Sequence, residues 1–271
     1  MKTWCVAVAA VAVGALAPIA SATPDSYDQV NMRFAGVGAG RAVGVQFWVG
    51  STKVIDSNVF AGSLNHQFTT GAAGSANAVA QSDSSSVLNG RTLGTFCTDI
   101  LEHVDSNWRT HNLTQVTTAP TTQNLANAAM GDGKSNRLAQ LYNYGQSTGL
   151  LNGQGGWASN SDSGTNRDQG AAFQLLVWEI VFGDANEANW ESNGALRVSG
   201  LSSSVRNYFA QFRDLSASYS DNLAGFRASS RSGSQDQLVI IPLPPAFFAG
   251  AGMLGLVMGA RYLRRRQAQL A

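Results

Sequence analysis

Charge is scarce in this 271-residue sequence: Asp, Glu, Lys and Arg make up 13% of it, about half the share usual in a soluble domain. Between residues 23 and 241, 13 lysines and arginines face 17 acids. No basic patch is left for nucleic acid, which is excluded as a partner. Histidine is nearly absent too. His66, His103 and His111 are the three, and no HExxH or CxxC spacing accompanies them, so no metal site is expected. The glycines of VGAGRAVG (37–44) come without a Walker lysine, which removes a phosphate loop. GDGKSN (131–136) reads as a turn, since too few carboxylates follow Asp132 for calcium. Cys97 and His103 lie six residues apart, about 20 Å along an extended strand, which rules out a thiol protease unless the strand ends between them. The expectation is a protein with no cofactor that is not an enzyme.

The two ends carry address signals. Lys2 precedes an apolar run from Trp4 to Ala17, and Ala20-Ser21-Ala22 supplies small residues for signal peptidase. Residues 1–22 read as a cleaved export signal. At the other end a proline knot, Ile241 to Pro245, leads into an apolar segment from Ala246 to Ala260 and then Arg261, Arg264, Arg265 and Arg266. A spanning helix needs about 20 apolar residues. Leu238–Ile241 would extend this one only in part, across the prolines. The arginines stay inside by the positive-inside rule, leaving the body outside. This reads as a single transmembrane helix joining the chain to the membrane.

Cysteine is the sharpest shortage. Of two, Cys5 leaves with the signal, so the exported chain keeps one thiol, Cys97. An odd cysteine in an oxidising compartment pairs between chains, lies buried and inert, or does chemistry. Its neighbours Phe96 and Ile100 point to shelter.

What is plentiful is alternation. RAVGVQFWVGS (41–51), KVIDSNVFAGSLNHQFT (53–69) and GRTLGTFCTDILEHV (90–104) read as strands, with a small-residue loop at 71–86 between two of them. The period then changes. NRLAQLYNYG (136–145) reads as a helix with Gly145 as its C-cap. A turn-rich loop follows, and then a second helix with an apolar stripe of Phe173, Val177, Ile180 and Val181, capped by Asp168 or Asn166. LSSSVRNYFAQFRDL (201–215) reads as a third. Strands first and helices later predict an α+β fold: a β-rich sandwich or barrel with inserted helices. The divisions are a signal peptide (1–22), one extracytoplasmic domain (23–235) and a C-terminal sorting segment (236–271).

The order of proline motif, short helix and terminal arginines resembles the C-terminal signal of PEP-CTERM proteins, with Pro242-Leu243-Pro244 in place of the usual Pro-Glu-Pro. That resemblance implies export and an exosortase-type sorting enzyme as partner. TFCTDI and FQLLVW resemble the two signatures of bacterial Cys–Gln thioester domains of surface adhesins. The matches are Phe96-Cys97 and Phe173-Gln174-Leu175-Leu176-Val177-Trp178, with the cysteine first. Phe173 stands where that family often has Thr. The resemblance implies a bond between Cys97 and Gln174, and an amine- or hydroxyl-bearing surface or matrix target. Trp178, at i+4 from Gln174, shares its helix face and would cover the bond, with Phe96 covering it from the strand. Asp99 is two residues from Cys97, about 6–7 Å along the same strand face. It is read as a proton acceptor or orienting group, the alternative being a turn carboxylate bonded to backbone. A nearby Lys53 or Lys134 would discharge the bond internally.

Two functions remain, from different classes. One is an exported, surface-anchored adhesin-like protein with an internal thioester. The other is a passive structural protein of the envelope or matrix, delivered by the same tail, with Cys97 and Gln174 merely packed. Both require export. The mature chain is expected to begin near Thr23, and N-terminal sequencing that finds Met1 on the surface-exposed form overturns the assignment.

Overall fold

A computed structural model describes residues 28–241 apart from 50, 75, 80–82, 122–127, 160–162, 184–190 and 193. The segment read as an export signal, and the proline motif, apolar segment and arginines after Ile241, lie outside the described residues. Seven strands form one antiparallel sheet: β1 (Asp28–Val49), β2 (Thr52–Thr69), β3 (Thr92–Cys97), β4 (Arg109–Gln115), β5 (Leu196–Ser199), β6 (Phe226–Arg231) and β7 (Ser234–Ile240). The helices are α1 (Asp83–Leu88), α2 (Gly131–Ser147), α3 (Gly164–Phe182) and α4 (Ser203–Ser216). No helix among the described residues is long and apolar enough to cross a membrane.

Strand pairing runs β2-β3-β7-β6-β4-β1, and β1 pairs back onto β2. Six strands therefore close into an antiparallel barrel, which removes free edges wherever it closes. Both β1 and β2 outrun the ring. Val30 of β1 faces His111 of β4, whereas Gly44 to Phe47, farther along, pair with β5. The long β1–β2 hairpin is thus barrel wall at one end and a projecting arm at the other. Its alternation is legible in Val43, Val45 and Phe47, all buried between more exposed neighbours, the period-2 signature of a half-buried strand.

The two faces of the wall bury different things. Val30, Met32, Phe68, Leu93, Leu113 and Val239 form a small apolar cluster with Leu88 of α1. On the opposite face of the strands, Phe96, Ala228, Leu238 and Ile240 join the larger core under the helices. Phe96 packs on Phe173 at 4.6 Å between ring centres, and Tyr142 meets both edge-on.

Several sequence expectations need correction. The segment 90–104 is not one strand: β3 stops at Cys97, because Asp99 turns the chain by accepting the Leu101 N–H on its side chain. GDGKSN is the first turn of α2 rather than a loop. Gly145 is not a C-cap. The helix runs on to Ser147, and a Cβ at 145 would crowd Leu151 and Phe173 at 2.8–3.1 Å, so the glycine lets helix and loop approach. The cap of α3 is Ser163, whose hydroxyl accepts the Asn166 N–H at 3.2 Å, while Asp168 pairs with Arg41. Residues 170 to 181 of α3 are buried all round, so the helix is central rather than striped. Leu238–Ile240 belong to β7 and not to a membrane segment, and Gln237 and Leu238 pair with β3. A division at 235/236 falls within that strand, so the folded body extends through Ile241, which bonds Gly225.

Two basic residues of α2 clasp the other helices at their C-terminal ends. Lys134 donates to the Val181 carbonyl and Arg137 to Arg213 O at 2.7 Å, satisfying carbonyls a helix leaves open. Lys134 is thereby held about 10 Å along α3 from Gln174, seven residues at 1.5 Å each. Lys53 pairs with Asp56.

Polar groups buried in the strands make the fold acid-sensitive. Burial pushes His66 down to about 4 and His111 to about 3. Both are neutral when folded, and the unfolded chain takes up protons first as pH falls below about 6.5. Stability is therefore full above that pH and lost as pH falls toward the folded values, by roughly 3–5 kcal/mol per histidine. Urea midpoints are expected to drop between pH 6.5 and 4 and to drop less in His66→Asn. Midpoints equal in the two proteins at both pH values would refute this.

Candidate functional site

The end of β3 and the middle of α3 meet. Cys97, the last residue of β3, is 2% exposed, and Gln174, 77 positions later, is 1% exposed. The Cys97 N–H donates to Gln174 Oε1 at 3.0 Å, and Gln174 Nε2 donates back to the Cys97 carbonyl at 2.8 Å. The carboxamide lies across the cysteine's main chain as a strand residue would, and its carbon is held against the residue that bears the thiol. The helix is placed there by small residues. A Cβ at Gly170, one turn before Gln174, would collide with the Ala39 carbonyl of β1.

The thiol itself donates to the Asp99 carbonyl. Burial, and after it the charge of Asp99, pushes its pKa well above the ordinary thiol value, while the Trp178 indole beside the sulfur pulls the other way. Trp178 Nε1 is buried and makes no hydrogen bond to nitrogen or oxygen. Asp99 is not on the strand face expected for it. Its Oδ1 accepts the Leu101 N–H at 2.8 Å, the turn-carboxylate alternative, yet its Oδ2 is buried with no hydrogen-bond partner. Burial raises its pKa to about 6. The carboxyl thus changes protonation near neutrality.

Cys97, Gln174 and Trp178 line a cleft of about 670 Å³ between the β1–β2 arm and the turn after β3. Its walls include Phe34, Val59, Phe60, Leu64, Ile100 and Leu101. Trp178 is where the i+4 argument put it. Phe96 is not at the cleft; it points into the aromatic packing beneath α3, since adjacent strand residues face opposite ways. His103 does line the cleft, because the strand ends before it. No group of three or more metal-ligating side chains occurs among the described residues.

Two glutamines escaped the sequence reading. Gln235 Nε2 donates to Asp99 O at 2.9 Å, the oxygen that also receives the thiol. Gln237 donates to Gln235 and accepts from Thr95, which bonds His66. A chain of hydrogen bonds runs from the buried histidine to the sulfur's acceptor. The signal available was SQDQLVI itself, where Gln235, Gln237 and Val239 share one face of a strand.

No protein-family model, curated protein or solved structure matches the chain.

Asp99 acts on the thiol by charge, which alkylation can measure. In Gln174→Ala, Cys97 is expected to react slowly with iodoacetamide at pH 8, and Gln174→Ala/Asp99→Asn about tenfold faster, since removing a nearby negative charge favours thiolate. Identical pH profiles for the two proteins would rule that coupling out.

Proposed function

We propose that the chain is an exported, surface-anchored protein whose body carries an internal thioester between Cys97 and Gln174, used for covalent attachment to a surface or matrix partner. The observation that carries this reading is the reciprocal pair of hydrogen bonds between the Gln174 carboxamide and the Cys97 main chain, at the floor of a cleft.

That geometry suits acyl transfer. Attack of Cys97 sulfur on Gln174 Cδ moves charge onto Oε1, where the Cys97 N–H already stands at 3.0 Å as an oxyanion donor. The carbon–nitrogen bond breaks, and Nε2 leaves as ammonia with the proton the thiol gives up. Asp99 is the buried acid suited to carry that proton, its carboxyl lying near 6. The product is a thioester, a poorly resonance-stabilised acyl group open to amines and, more slowly, hydroxyls. Trp178 shields it from water, and Lys134 is occupied at the end of α3. The C-terminal resemblance to PEP-CTERM proteins supports export and handling by an exosortase-type enzyme, with the membrane held through the apolar segment before processing.

One observation favours the passive reading. Gln174 already has both its acceptor and a donor satisfied by Cys97, so it serves equally as a clamp fixing α3 to the barrel in a structural protein of the envelope or matrix.

Intact mass separates the two. Purified without amines, the protein is expected to be one ammonia lighter than its Gln174→Ala and Cys97→Ala variants predict after correction for the substitutions, with Cys97 refractory to alkylation. Methylamine should add one equivalent at residue 174 and expose the thiol. An unreduced mass with a freely alkylated Cys97 leaves the clamp as the function of Gln174.

A further inference from the structure

The cleft has a rim that no strand covers. β1 holds one edge of β2 from Thr52 to Thr69, but β3 pairs with the other only from Leu64 to Gln67. From Val54 to Phe60 the outer edge of β2 faces no strand among the described residues. None of the backbone bonds made outside the strand ladders among the described residues ends on it. These residues are exposed or half-buried, and all seven line the cleft that holds Cys97, Gln174 and Trp178.

A row of unpaired N–H and C=O groups is a template for another strand, and edges are normally blunted by proline, charge, a bulge or a covering element. This one contains no proline. The two charges at its start, Lys53 and Asp56, pair with each other. Two of the hairpin's register shifts, at Phe34/Gly36 and Val37/Gly40 of β1, lie away from this edge; the third, at Phe47/Trp48, leaves Val54 at its start out of register, and Ile55 to Phe60 pair with β1 without interruption. The wall opposite is apolar at Phe34, Ile100, Leu101 and Val104. Besides Asp56, whose charge Lys53 meets, the lining carries the Glu102 carboxylate and, among the described residues, no lysine or arginine, a potential that favours a cationic side chain.

We propose that the edge from Val54 to Phe60 docks an extended polypeptide segment of the target by strand addition, and that an amine-bearing side chain of that segment enters the cleft. The proposal rests on the thioester reading for its covalent step. Main-chain hydrogen bonds hold the segment with little regard to sequence, while every second side chain faces the cleft. The amine nitrogen bonds to Cδ of residue 174 and the carbon–sulfur bond breaks. Sulfur leaves as thiolate and takes the proton the nitrogen releases, giving an amide and a free Cys97 thiol. The target is then a protein, selected by an exposed extended stretch with a lysine.

The test uses the full chain and three probes: the peptide acetyl-Thr-Val-Thr-Lys-Thr-Val-Thr-amide, the same peptide N-methylated at alternate residues, and dextran as a hydroxyl polymer. The plain peptide is expected to label residue 174 at least about tenfold faster than the N-methylated one, whose edge cannot pair. In Cys97→Ala, which forms no thioester, the plain peptide should slow amide hydrogen exchange across Val54–Phe60 and the methylated one should not. Equal labelling rates, faster labelling by dextran, or no protection of Val54–Phe60 would each overturn strand addition. If methylamine is not incorporated either, the thioester reading has failed by itself, and the exchange measurement on Cys97→Ala still decides whether the edge docks a strand.

Discussion

A carboxamide inside an apolar helix has to be paired, and the way Gln174 is paired organises the rest of the molecule. Its two bonds to Cys97 tie the most buried helix to the last residue of a barrel strand. Leaving them unmade would strand a donor and an acceptor away from water, at about 1–3 kcal/mol each. The register of α3 against the sheet is therefore not free to slide. Gly170 at the Ala39 carbonyl and Phe173 on Phe96 are consistent with one position only. The same two bonds bring an amide carbon and a thiol into one site, so a packing requirement and a chemical opportunity have a single cause.

The interior of the strands adds a second constraint. A wall whose buried face carries His66, Thr95 and Gln237 cannot rely on apolar contact alone; its polar groups must find one another. They do so in a line that ends at the Asp99 carbonyl, beside the sulfur. The turn after β3 is held by this line as well as by its own Asp99–Leu101 bond.

The strongly periodic parts of the chain were legible beforehand. The alternation of β1 and β2 and the apolar run of α3 announced themselves, as did Cys97, the one cysteine among the described residues. The polar strands were not. RTHNLTQ, FRASSR and SQDQLVI carry few apolar residues, because one face of each meets a polar interior or solvent, and pattern reading needs an apolar face to find. Closure of the sheet depends on those three strands, so the barrel could not be told from a sandwich. Within the site, Trp178 followed from helical spacing alone. Phe96 did not follow, because adjacent strand residues face opposite ways, nor did Asp99, whose placement depends on where β3 ends. Gln235 and Gln237 are brought to the sulfur's acceptor by pairing across more than a hundred residues, which no local pattern encodes.

Synthesis proceeds from the amino end, and β7 is the final strand. It sits between β3 and β6, so the ring stays open until the chain is complete through Ile240, long after Cys97 and Gln174 have both been made. Contacts of such wide sequence separation form slowly. The reactive residues therefore acquire their surroundings last. Were the chain threaded through a membrane amino end first, this site would assemble only once residues through Ile240 had emerged, and whatever chemistry it performs would be confined to the far side without any separate control.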